Sequence, residues 1–168
     1  MINEPMQQLI NNLIQIEYQS AYLYLAMSNY FNRLNLTGIG HWFRIQHDEE
    51  RSHALKLIDY LTDRNGVVVI KNISEQPINF GNTVETFQKV LTHEQYVTDN
   101  YKKAYELAQK EGDQQSIVIF LNFLKEQTEE EAQTMIILGR FELAGNNTSA
   151  ILLLDQELGK RTATPPKE

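Results

Sequence analysis

Four stretches of this chain carry apolar residues at helical spacing, and each apolar row is interrupted by a carboxylate. Residues three, four and seven apart share one face of a helix, so these acids point where a core must form. In the first stretch, from Pro5 to about Leu34, Glu17 breaks the row Ile10, Ile14, Ala21, Tyr24, Phe31. In the second, Phe43 and Leu57 lie seven residues to either side of Glu50, with His53 on the same face. The third runs Phe87, Val90, Val97, Tyr101, Ala104, Ala108 around Glu94, and the fourth Phe120, Leu124, Thr134, Ile137, Phe141 around Gln127 and Glu130. An unpaired carboxylate in an apolar core costs several kcal/mol. Such a chain folds only if its acids find partner residues, protons or bound cations.

The spacing brings them to one level. Glu17 and Glu50 are 33 residues apart, and so are Glu94 and Gln127, which is a weak internal repeat of two helical hairpins. Asn35 lies 18 residues from both Glu17 and His53, and Gly112 lies 18 from both Glu94 and Glu130. Folding each hairpin at its turn residue therefore sets the polar groups near mid-height of all four helices. Between the hairpins, Gly66 to Asn82 is β-branched and then broken by Pro77 and Gly81, which reads as an extended connection. Its seventeen residues can stretch to about 56–61 Å, more than the roughly 42 Å of a twenty-eight-residue helix. It can cross the whole molecule and leave the second and third helices parallel.

Local signals fix the ends. Pro5 suits a first helical turn. Thr37 is the expected cap of the second helix, after Asn35 and before Gly38 and Gly40, and Asn65-Gly66 is its stop near Arg64. Asn82 and Glu85 are placed as a capping box for a helix starting near Thr83. Gly112 closes that helix and Asp113 can cap the next. After Gly145 and two asparagines, Ala150 to Leu158 reads as a short fifth helix. The fold class is all-α: a four-helix bundle with one long crossover and a short C-terminal helix.

Composition narrows the chemistry. The formal net charge is −7, which disfavours nucleic acid, since polyanion binding needs a concentrated basic patch. There is no cysteine, so disulfides, thiolate metal sites and iron–sulfur clusters are excluded. Any metal must sit on carboxylate, imidazole and amide groups. No apolar run approaches membrane-spanning length, and the first residues, with Glu4 and Glu17, lack a basic start or small-residue cleavage site. The expected setting is the cytoplasm. The converging set is Glu17, Glu50, His53, Glu94, Gln127 and Glu130, and four buried like charges need neutralising. Carboxylates with one histidine suit iron or manganese, and two divalent ions roughly balance four carboxylates.

At these residues the chain resembles the bacterial non-haem ferritins over nearly its whole length: Glu17, the Glu50-Arg-Ser-His53 motif, Glu94, Gln127-Thr-Glu-Glu130, the long crossover and the short last helix. Ferritin-like di-iron bundles in general take a Glu from each of two helices and Glu-x-x-His from each of the other two. Here the second motif, Gln127 to Glu130, has no histidine, as in storage ferritins. The resemblance implies one ferritin-like domain over residues 1–160, and the polar, proline-bearing end of the sequence reads as a flexible tail over 161–168. It also implies a ferroxidase centre, in which one iron is held by Glu17, Glu50 and His53 and the second by Glu50, Glu94 and Glu130, with Glu50 bridging. Gln127 would hydrogen-bond bound water or oxygen species, and Tyr24 would bond to the site and supply an electron. Glu49, Glu126 and Glu129 match the extra carboxylates that hold a third iron. Arg51 stands where bacterioferritins have a haem-ligating methionine, so no haem is expected.

The implied activity is oxidation of Fe(II) by dioxygen or hydrogen peroxide and storage of Fe(III) mineral. The implied assembly is a hollow homo-oligomeric shell of about twenty-four subunits, with Ile151 to Leu154 gathered around its four-fold axes. Two other readings compete. A small di-iron redox enzyme would use the same bundle on peroxide or an organic substrate and retain no mineral. A DNA-shielding mini-ferritin is disfavoured, because those proteins build the site between subunits and one chain here supplies a full set.

Overall fold

Apolar periodicity and end signals together produce five helices in the computed structural model, which describes residues 1–163. They are α1 (Glu4–Arg33), α2 (Thr37–Asp63), α3 (Thr83–Glu111), α4 (Gln114–Ala144) and α5 (Thr148–Leu158). The helices α1 and α2 form one antiparallel hairpin, α3 and α4 the other. The part of the expected tail at 164–168 lies outside the described residues.

Most ends are set by the residues the sequence singled out. Asn3 caps α1 by accepting from the Met6 amide, with Pro5 in the first turn. The capping box between Asn82 and Glu85 opens α3, and Gly112 closes it in the left-handed conformation at φ +66°. Asp113 accepts from Ser116 N to start α4. It also receives both guanidinium nitrogens of Arg64 at 3.1 Å, which ties the end of α2 to the α3–α4 turn. Asn35 and Asn65 take positive φ after α1 and α2, as asparagine does more readily than other side chains.

The start of α2 corrects the expectation. Thr37 is already its first helical residue, and Leu36 before it offers no capping side chain. The acceptor comes instead from α5, where the buried Asp155 carboxylate accepts from Ile39 N at 2.8 Å. Ile39 is the third helical residue, the usual target of an N-cap side chain, so Asp155 caps α2 across 116 residues of chain. This needs close approach: a Cβ on Gly38 would stand 1.7 Å from the Asp155 carbonyl oxygen. The fifth helix also begins two residues earlier than Ala150, with Asn147 accepting from Ala150 N as its cap.

The crossover lies along α1 from its first turn to its last. Asn11 brackets it with its amide, donating to Val67 O at 2.9 Å and accepting from Val69 N at 2.7 Å, much as a neighbouring strand would. Further along, Gln15 donates to Asn72 O, Arg33 to Ile78 O and Tyr30 to Gly81 O. The chain is thus carried to the end of the bundle where α2 also starts, and α3 runs parallel to α2.

Two apolar cores result, one above the other. The first gathers Met6, Ile10, Leu13, Leu57, Tyr101 and Phe120. The second is aromatic, with Tyr24 on α1, Phe43 on α2, Phe87 on α3 and Phe141 on α4 stacked in succession at 5.3–5.9 Å between centroids. Between the two cores lies a polar layer.

Candidate metal centre

That layer contains Glu17, Glu50, His53, Glu94 and Gln127, all buried, with Glu130 at its edge. Each row placed its polar group by the same periodicity that built the cores. His53 Nδ1 stands 3.2 Å from Glu50 Oε2 and 3.8 Å from Glu17 Oε2. Glu17, Glu50 and His53 each offer one ligand atom, and these lie within 4.8 Å of one another. Among the described residues no other three-residue group of this kind includes Glu94 or Glu130. Glu94 is engaged by Tyr24, whose hydroxyl donates to its Oε1, and by Gln127 Nε2, at 2.9 Å from its Oε2. Glu130 accepts from Gln46 Nε2 at 3.1 Å.

Two residues of the layer were not singled out from the sequence. Tyr101 donates its hydroxyl to Glu17 Oε1, while Tyr24 of α1 donates to Glu94 of α3. Each tyrosine follows its own helix's glutamate by seven residues and serves the other helix's glutamate. The pairing is a local two-fold, and the shared seven-residue offset was the signal that could have revealed it. Gln46, one turn before Glu50, is buried and turns its amide to Glu130.

Burial and the neighbouring charges set the proton affinities of this layer. Burial pushes the Glu50 carboxyl well above the ordinary range, helped by the charge of Glu17 and opposed by His53. Burial likewise raises Glu94 to about 7, although Tyr24 and Gln127 stabilise its charge. Glu130 is raised by burial and by the charge of Glu49. Burial works against the charge of Glu17 too, but His53, Glu50 and Tyr101 outweigh it and hold the group low. His53 is penalised by burial, yet Glu126, Glu17 and Glu50 raise its affinity for a proton well above normal. Tyr24 and Tyr101 are pushed up by burial and by the neighbouring carboxylates, so both remain donors.

Glu17 Oε2 is the informative atom. It is buried and accepts no hydrogen bond, a state that costs about 1–3 kcal/mol or more for a charged group. With Glu50 and His53 beside it, the donor set is two carboxylates and an imidazole, which fits a divalent ion of the iron or manganese type. The outer carboxylates are less gathered. Glu126 reaches His53 Nε2 at 3.1 Å, Glu49 is paired with Arg161 at 2.6 Å, and Glu129 is exposed.

Comparison with known proteins finds relatives over nearly the whole chain. A family model described as the ferritin-like domain matches residues 7–144. A bacterial non-heme ferritin of Bacteroides fragilis is 35% identical over 161 residues, covering 96% of this chain and 100% of the relative. One of Staphylococcus aureus is 32% identical over 162 residues, covering 96% and 98%. An Archaeoglobus fulgidus ferritin engineered to a closed form superposes with a TM-score of 0.95 at 35% identity, covering 98% of this chain and 100% of that one. The open-pore ferritin of the same archaeon superposes at 0.94, with 35% identity and coverage of 96% and 100%.

Proposed function

We propose, from the premise that this chain belongs to the ferritin family, that it stores iron and oxidises Fe(II) at the polar layer between its two cores. The observation that carries the reading is the buried Glu17–Glu50–His53 set, in which Glu17 Oε2 accepts no hydrogen bond.

In this reading Glu17, Glu50 and His53 hold one Fe(II), and Glu50, Glu94 and Glu130 the other. Two Fe(II) ions lose one electron each to dioxygen, which with two protons leaves as hydrogen peroxide. Anionic oxygen donors favour the Fe(III) product over Fe(II). Tyr101 and Tyr24 stay protonated and orient Glu17 and Glu94, and Gln127 fixes the other oxygen of Glu94. Iron entering the layer displaces the protons held by Glu50, Glu94 and His53. Glu49, Glu126 and Glu129 form the outer carboxylate face, where a third iron is held. The oxidised iron is stored inside a homo-oligomeric shell; about twenty-four copies of a 19.5 kDa chain give roughly 470 kDa.

The test is to add Fe(II) in air to the metal-free protein, separate it by size and measure iron across the protein peak. Many irons per chain on the large species are expected. About two per chain on a small oligomer would refute storage and favour the di-iron enzyme. Glu50→Ala and His53→Ala should each abolish rapid oxidation, and unchanged rates would refute the assignment of the centre.

A further inference from the structure

Beside the centre, α2 presents a second stripe, offset from the ligand row, that contains Trp42 and Glu49. A cation already lies on it. The Arg161 guanidinium stacks over the Trp42 ring at 4.8 Å, and its Nη2 donates to Glu49 Oε2 at 2.6 Å. Its other nitrogen reaches Trp42 O at 3.5 Å. The Arg161 side chain is only 13% exposed and that of Glu49 only 18%, so this is not a solvated surface pair.

Arg161 is also held by its backbone. His41 Nε2 donates to the Arg161 carbonyl at 2.9 Å. Two residues earlier, Gly159 packs so closely on Gly38 that an added Cβ would lie 3.1 Å from the Gly38 Cα. Asp155 fixes the same helix through Ile39. The guanidinium is therefore carried to Glu49 by an anchored element.

We propose that Arg161 is a tethered counter-ion of the outer carboxylate face, and that a metal ion binding there through Glu49 must displace it. The proposal rests on the reading of the polar layer as a metal centre. A fixed guanidinium on Glu49 satisfies that carboxylate while the face is empty and lowers its affinity for a free cation. Ions settle in the Glu17–Glu50–His53 set first, and the outer face fills only at higher metal concentration.

Zn(II), which cannot be oxidised here, is the probe. Its binding to the full-length metal-free protein is followed by calorimetry and chelator competition. Wild type should show a tight class that His53→Ala removes and a weaker class that Glu49→Gln removes. Arg161→Ala should tighten the weaker class about tenfold and leave the tight class unchanged, which also shows that the bundle is intact. Arg161→Lys, which keeps the charge, should stay near wild type. An unchanged weaker class in Arg161→Ala would overturn the proposal. So would an Arg161→Lys variant that behaves like Arg161→Ala, because the effect would then come from docking of α5 and not from charge. Absence of the tight class in wild type would instead overturn the metal centre itself.

Discussion

Glu50, Glu94 and His53 each bind a proton more firmly in the folded chain than they would in an unfolded one. Metal ions must therefore compete with protons at this site. Affinity for Zn(II) should rise with pH through about 7, the range in which Glu94 titrates. Below that pH, binding should release protons, measurable as a dependence of calorimetric enthalpy on the buffer's ionisation enthalpy. A slope of zero would contradict it. The same groups set the stability of the metal-free protein. A raised carboxyl favours the folded state while protonated, so stability should fall as pH rises from the ordinary carboxyl value of 4.5 through about 7. His53 acts in the same sense, since its raised value stabilises the fold at low pH and that contribution fades on deprotonation. The thermal midpoint should fall across this window without metal and vary less with Zn(II) bound.

The two tyrosines separate by what they leave behind. Tyr101→Phe removes a donor from Glu17, whose other oxygen already accepts none, and should cost about 1–3 kcal/mol in a denaturant titration of the metal-free protein. Tyr24→Phe leaves Glu94 with Gln127 and should cost less. Equal losses would show that the orphaned oxygen of Glu17 is not what strains the site. The acids of this layer were legible in the sequence because a carboxylate in an apolar row is an anomaly. Tyr101 and Gln46 were not picked out, although Tyr101 follows Glu94 by the same seven residues that separate Tyr24 from Glu17, and Gln46 stands four residues before Glu50. The pairing of Arg161 with Glu49 had no local signal at all, as the two are 112 residues apart.

Among the helices, α3 and the start of α4, whose caps lie nearby in sequence, were read correctly. Asn82 with Glu85, Gly112 and Asp113 all act within four residues of the ends they define. The start of α2 was misread because its acceptor is Asp155, on another helix. Removing that acceptor by Asp155→Ala should cost about 1 kcal/mol, the usual value of an N-cap. Hydrogen exchange offers the sharper check: the Ile39 amide should lose protection in this variant while the Met6 amide, capped by Asn3, does not change. Gly38→Ala should be worse, since its methyl would drive into the Asp155 carbonyl and push α5 away. A Gly38→Ala protein as stable as wild type would mean that α5 is not seated as described.

For the molecule as a whole, the long crossover decides the arrangement. By returning the chain along α1 it makes α2 and α3 parallel, and the polar groups of both hairpins then meet at one level between two apolar cores. The direction of this connection was legible from its length and its Pro and Gly residues, while the contacts that pin it, such as Asn11 on Val67 and Val69, were not. If the shell forms, metal-free protein should sediment as one species of roughly 470 kDa.

The cap supplied by Asp155 also has a bearing on synthesis. The Ile39 amide leaves the ribosome 116 residues before its acceptor does. At about 5–20 residues per second, that interval is roughly 6 to 23 seconds. Throughout it the first hairpin can zip from its far end, but the Ile39 amide in the opening turn of α2 lacks its Asp155 acceptor. The last helix to emerge completes one of the first to form, so a nascent chain stalled before α5 would carry a frayed end in the middle of an otherwise finished hairpin.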